Sequence, residues 1–147
     1  GVMQEWWAPE VATRFEERAQ CIEKAYSAYE VQPGMFINGK LTMGENIADH
    51  GGIREAFNAY RAWSATNGEE KTGIEGISNE QLFFLAYAQS WCMKSTQEME
   101  AMLLTVDSHS PAKARVNLPL AHYPEFGKVW SCEASTPMVE ENACEVW

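Results

Sequence analysis

The segment TMGENIADHGG, Thr42 to Gly52, places Glu45 and Asp49 four residues apart and follows them with Gly51 and Gly52. At that spacing two side chains project from one face of a helix. Apolar residues carry the same helix onward, with Ile47, Ile53, Ala56, Phe57, Tyr60 and Trp63 on an inward stripe. Each glycine weakens a helix by about 1 kcal/mol relative to alanine. The segment therefore predicts either a break at Gly51-Gly52 or a close approach by another backbone. Chemically, the acidic pair has two readings. A solvated acidic face is the common one. The other is a glutamate that ligates zinc, with an aspartate one turn on that fixes the tautomer of a zinc-bound histidine. The three histidines, His50, His109 and His122, form no H-x-x-x-H pair. A complete zinc site is therefore not spelled out in these residues.

Outward from this segment the chain reads as mainly helical. Toward the N-terminus, Val11, Phe15, Ala19, Ile22, Tyr26 and Tyr29 step by three and four, one stripe of a helix that opens at Pro9 and stops by Gln32. Asn38-Gly39 between short apolar runs predicts a β-hairpin around residues 35–43. Toward the C-terminus, Ser78 and Gln81 have capping-box spacing before NEQLFFLAYAQSWC, a helix apolar on nearly all sides and suited to the centre of something larger. Ser95 and Glu98 repeat the spacing before a third helix. Beyond Asp107, three prolines predict irregular chain until a short helix at Pro124.

Composition narrows the function classes. The chain has 147 residues, 46% hydrophobic and 22% charged, which suits one globular domain. A net charge of -10 argues against a nucleic-acid partner and against an anionic membrane surface. No run of 18 apolar residues is present, and the start, GVMQEWWAPE, is not a signal peptide and reads as mid-domain. Cys21, Cys92, Cys132 and Cys144 form no C-x-x-C. An even count at wide spacing favours disulfides in an oxidising compartment over free buried thiols.

Four ordered motifs carry a resemblance that spans the chain. GENIADHGG resembles the third-ligand motif of the neprilysin and endothelin-converting enzyme family of zinc metallopeptidases. NEQLFFLAYAQSWC resembles that family's long buried helix, which ends in Trp-Cys. HSPAKAR, His109 to Arg115, resembles its H-S-P-x-x-x-R element, and the ending in Trp147 resembles its C-terminus. The sequence departs from the family's pattern at MKSTQEM after Cys92, at Ala112 and at Leu118, positions that touch loop geometry near the substrate.

The resemblance implies a fold and a set of roles. Residues 1–147 would be the C-terminal helical part of a thermolysin-like (gluzincin) catalytic domain, with the H-E-x-x-H helix upstream. Glu45 would be the third Zn2+ ligand, and Asp49 the partner of a zinc-bound histidine. His109 would donate to the oxyanion, and Arg115, oriented by Asp107, would grip a substrate carbonyl. Trp91 and Ser90 would line a pocket for a large apolar side chain. Cys21 would pair with Cys144. Cys92 and Cys132 would pair with the remainder of the same metallopeptidase.

The implied function is zinc endopeptidase action on peptide substrates, by the ectodomain of a membrane-anchored or secreted protein in an extracellular or lumenal setting, as a glycoprotein able to form homo- or hetero-oligomers. The chain alone would be inactive. The alternative is a catalytically inactive homologue serving as a structural or surface binding glycoprotein.

Overall fold

A computed structural model of the chain describes residues 1–134 and 136–147. Helix α1, Pro9–Ser27, begins on a proline, where a missing N–H costs nothing, and buries Ala19, Ile22 and Tyr26. Strands β1, Glu30–Gln32, and β2, Met35–Phe36, pair antiparallel with Glu30 opposite Phe36 and Gln32 opposite Met35. The predicted hairpin therefore exists but lies at residues 30–36, turned at Pro33-Gly34 and not at Asn38-Gly39. Pro33 followed by Gly34 at φ 77° meets the demands of a type II turn. Asn38 instead shapes the entry to the next helix: its side-chain oxygen accepts from the Leu41 N–H and its carbonyl from the Thr42 N–H.

Helix α2, Met43–Asn67, runs unbroken through Gly51-Gly52. What approaches Gly51 is a side chain, not a backbone: a Cβ there would stand 3.2 Å from Cδ1 of Trp147. The stripe is buried at Ile47, Ile53 and Phe57 and half-buried at Tyr60, but Ala56 and Trp63 are exposed. Helix α3, Asn79–Ser90, starts on the Ser78–Gln81 capping box. Helix α4, Gln97–Val106, is capped by Thr96, one residue later than predicted; its hydroxyl accepts from the Met99 N–H.

Between Asp107 and Pro124 the sequence reading fails. A helix, α5, spans Ala112–Ala121 with Pro119 inside it, before α6, Pro124–Val129. Proline supplies no N–H to the carbonyl four residues back and ordinarily ends a helix. Here that carbonyl belongs to Arg115, and the Tyr87 hydroxyl of α3 donates to it at 2.7 Å. A tertiary contact thus satisfies the acceptor that the proline leaves open.

Two apolar clusters form the interior. One joins α1, α2 and α5 through Ile22, Tyr26, Ile47, Ala114 and Val146; the other joins α2, α3 and α5 through Ile53, Phe57, Phe84 and Leu120. The C-terminal tail straps them. Cys144 is bonded to Cys21, as the family resemblance implies, and closes a loop of 123 residues. By the chain-entropy model such closure stabilises the fold by about 5 kcal/mol. Arg18 donates to the Val146 carbonyl, Arg54 to the Trp147 carbonyl, and Trp147 packs on Phe15. Cys92 and Cys132 are free thiols within this chain.

Under the strap lie His50 and His122, ring centroids 5.6 Å apart. His122 Nδ1 accepts from the Cys144 N–H at 3.0 Å, so its neutral ring carries the proton on Nε2. Burial, then the neighbouring His122 and Arg54, pushes His50 down to about 3. Burial also lowers His122, against the charge of Glu140. Both rings are uncharged in the folded state at a pH where the unfolded chain, titrating near 6.5, takes protons up. Their contribution is complete above that value and is lost as pH falls below it, for His50 down to about 3. The expected slope from His50 is about 1.4 kcal/mol per pH unit within that window. Thermal midpoints measured between pH 7.5 and 5 should fall, and fall less steeply in His50→Gln; equal slopes would contradict this assignment.

Candidate active site

Three segments bring the chemistry-bearing side chains to one surface. The first turns of α2 present Glu45 and Asp49, the loop from Asp107 to Pro111 presents His109, and α5 presents Arg115. Asn46, fully buried, ties the loop to α2: its Nδ2 donates to Thr42 Oγ1 at 2.8 Å, and its Oδ1 accepts from the buried Ser110 hydroxyl at 2.7 Å. Sequence reasoning missed Asn46 and Ser110. The signal was available, because Asn46 lies seven residues before Ile53 and so falls on the inward stripe of α2. A polar residue there needs a buried partner.

The tie holds His109 over Glu45. His109 Nε2 stands 3.3 Å from Glu45 Oε2, and Nδ1 stands 2.8 Å from Asp107 Oδ1. The same Asp107 oxygen accepts the His109 backbone N–H at 2.9 Å. These bonds, the backbone one first, hold the Asp107 carboxyl below the usual range. Asp107 therefore orients His109, not Arg115 as the resemblance led us to expect.

Arg115 is held by Asp49. Nε donates to Oδ2 at 2.7 Å and Nη2 to Oδ1 at 2.8 Å, a bidentate pair whose side chains are 14% and 10% exposed. These hydrogen bonds to Asp49 raise the guanidinium further above its usual range. Its carbon lies 3.9 Å from the centre of the Trp91 ring, a cation–π stack. Trp91, with Leu103, Leu104, His109 and Arg115, lines an adjoining cavity of about 520 Å3. Ser90 does not line it; its hydroxyl turns back to the Tyr87 carbonyl at 2.6 Å.

Zinc takes three or four nitrogen, sulfur or oxygen donors. Among the described residues no group of three His, Cys, Asp or Glu converges to hold a metal. The half-exposed Glu45 carboxylate, with no lysine or arginine among its ion-pair partners at these residues, fits one corner of such a site.

The model of peptidase family M13 matches residues 1–146. Neprilysin-1 of Caenorhabditis elegans is 43% identical over 151 residues, covering 100% of this chain and 20% of the relative. Endothelin-converting enzyme 1 of Cavia porcellus is 40% identical over 148 residues, again covering 100% of this chain and 20% of the relative. The Mycobacterium tuberculosis zinc metalloprotease ZMP1, solved with an inhibitor, superposes with a TM-score of 0.87 at 28% identity, over 99% of this chain and 23% of that one. The chain spans about a fifth of the length of the curated relatives it matches. It is a mainly helical part of a larger fold, and by sequence and structure alike it belongs to peptidase family M13.

Proposed function

We propose that this chain forms one wall of the active site of a zinc metalloendopeptidase. The observation that supports it is the convergence of Glu45, His109 and Arg115, from three separate segments, beside a cavity floored by Trp91. Glu45 supplies one ligand. Zinc, when bound, activates water for attack on a peptide carbonyl. The remaining ligands and the general base belong to an H-E-x-x-H segment outside this chain. Asp49 has both oxygens engaged by Arg115 but keeps a lone pair on each, free to accept from a histidine of that segment.

His109 donates its Nδ1–H to the Asp107 carboxylate, which fixes the ring, and in its doubly protonated form presents the Nε2–H to the oxygen that gains charge as the carbonyl is attacked. Arg115 has its Nη1 free of the pair to Asp49 and directs it to a backbone carbonyl of the bound peptide. Trp91 contributes apolar surface to the pocket beside it. Cys92 and Cys132 form disulfides to the remainder of the protein, consistent with an extracellular or lumenal setting.

The test uses the whole protein and the isolated chain side by side. The whole protein should cleave internal peptide bonds, lose activity to a chelator and regain it with Zn2+. The isolated 147-residue chain should bind zinc weakly and cleave nothing. Stoichiometric micromolar zinc binding by the isolated chain would contradict the division of ligands. Peptide hydrolysis indifferent to zinc removal would contradict the mechanism.

A further inference from the structure

Arg115 is held from three sides, and only two of them act on its guanidinium. Asp49 on α2 pairs with the charged end, and Trp91 at the end of α3 stacks beneath it. The third hold is on the main chain. Pro119, fully buried, provides no N–H for the Arg115 carbonyl, and Tyr87 Oη donates to that carbonyl at 2.7 Å. Tyr87 in the last turn of α3 and Trp91, the residue that caps it, grip both ends of the same arginine. A phenylalanine at residue 87 would fill nearly the same volume and leave the carbonyl without this donor. The phenol is also secure as a donor: burial, and then the Asp49 carboxylate, raises it above its usual range, so it keeps its proton at any working pH.

We propose that Tyr87 is a positioning residue for substrate binding, its hydroxyl occupying the hydrogen-bond site that Pro119 vacates and so fixing the point on α5 from which Arg115 reaches a substrate carbonyl. This inference rests on the reading of Arg115 as a substrate-binding group. Without the bond, α5 is free to shift at its proline, and the guanidinium moves with it. A displacement of a few tenths of an ångström at the main chain is carried along the side chain to the bond it makes with substrate. The effect falls on binding shared by ground state and transition state, which raises KM and spares kcat.

The experiment is a rescue in the whole protein. Tyr87→Phe should raise KM for a peptide substrate about tenfold while kcat stays within twofold. Tyr87→Phe/Pro119→Ala should bring KM back to within twofold of the starting protein, because the second substitution returns a backbone N–H to the same carbonyl. A purely structural role for Tyr87 would lower the thermal midpoint and the active fraction but leave KM unchanged, and an unchanged KM overturns the proposal. A raised KM that the second substitution fails to restore in a folded double variant also overturns it. Should the double variant fail to fold, the KM of Tyr87→Phe alone decides. Arg115→Ala separates the two readings. If it leaves KM untouched, the role of Arg115 falls and this proposal with it. If it raises KM steeply while Tyr87→Phe does not, only the Tyr87 proposal falls.

Discussion

Replacing His109 with alanine in the whole protein should lower kcat by about 10²–10³ while leaving bound zinc at one per molecule. His109 Nδ1 is fixed by Asp107, and Nε2 lies at the Glu45 carboxylate, on the surface where the metal site would close. A donor held there in advance stabilises the charge that develops on the attacked oxygen, and its worth appears in the transition state. It adds little to ground-state binding, so KM should change little. Asp107→Asn should produce a smaller loss, because the ring keeps its place through the loop but loses its anionic partner. Steady-state kinetics with metal analysis on the same samples read both quantities. A His109→Ala protein with full kcat would remove His109 from the chemistry.

Asp49→Ala should be the most damaging single change to stability among the site residues. Asp49 and Arg115 are both nearly buried, and the pair is bidentate. Removing the aspartate strips a guanidinium that faces the cavity of its bidentate partner, a loss of about 1.5–3 kcal/mol. Removing both charges together costs less, because neither is then stranded. Asp49→Ala/Arg115→Met should therefore unfold at a higher temperature than Asp49→Ala, though substrate binding stays weak in both. Calorimetric midpoints of the two variants give the comparison. A double variant less stable than the single one would mean that the arginine has another partner when Asp49 is gone.

Much of this arrangement was legible in the sequence, for reasons that differ by element. Helices α1, α2 and α3 announced themselves through regular apolar steps and, for α3, through a capping box that the structure contains. The hairpin was misplaced because Asn-Gly and Pro-Gly are both turn signals. The strand partner that decides between them, Glu30 to Gln32, is too short to stand out. Helix α5 was hidden because its proline breaks the local rule, and the compensation, Tyr87, lies 28 residues away. At Gly51, within the unbroken α2, the neighbour is Trp147, again a contact between distant residues. At the candidate site, family resemblance named Glu45, Asp49, His109 and Arg115, and the fold brings the four to one surface. The resemblance could not supply the pairing: Asp107 serves His109, and Asp49 serves Arg115. The place of His109 in that pairing depends on the Asn46–Ser110 hydrogen bond, which ties the loop to α2.

The C-terminal strap has a consequence for how the protein is made. Residues 144–147 cover Ile22, Ile47 and His122, and they bind Arg18 and Arg54, so α1 and α2 have no complete burial until the last of these residues emerges from the ribosome. At ordinary elongation rates of about 5–20 residues per second, Cys21 waits on the order of 10 s for Cys144 to be synthesised. During that interval the part of α1 that Val146 and Trp147 cover, Phe15 included, stays open. A stop codon in place of Cys144 would remove the disulfide, the Val146 contact and the indole on Gly51 at one stroke, and would turn a transient exposure into a permanent one.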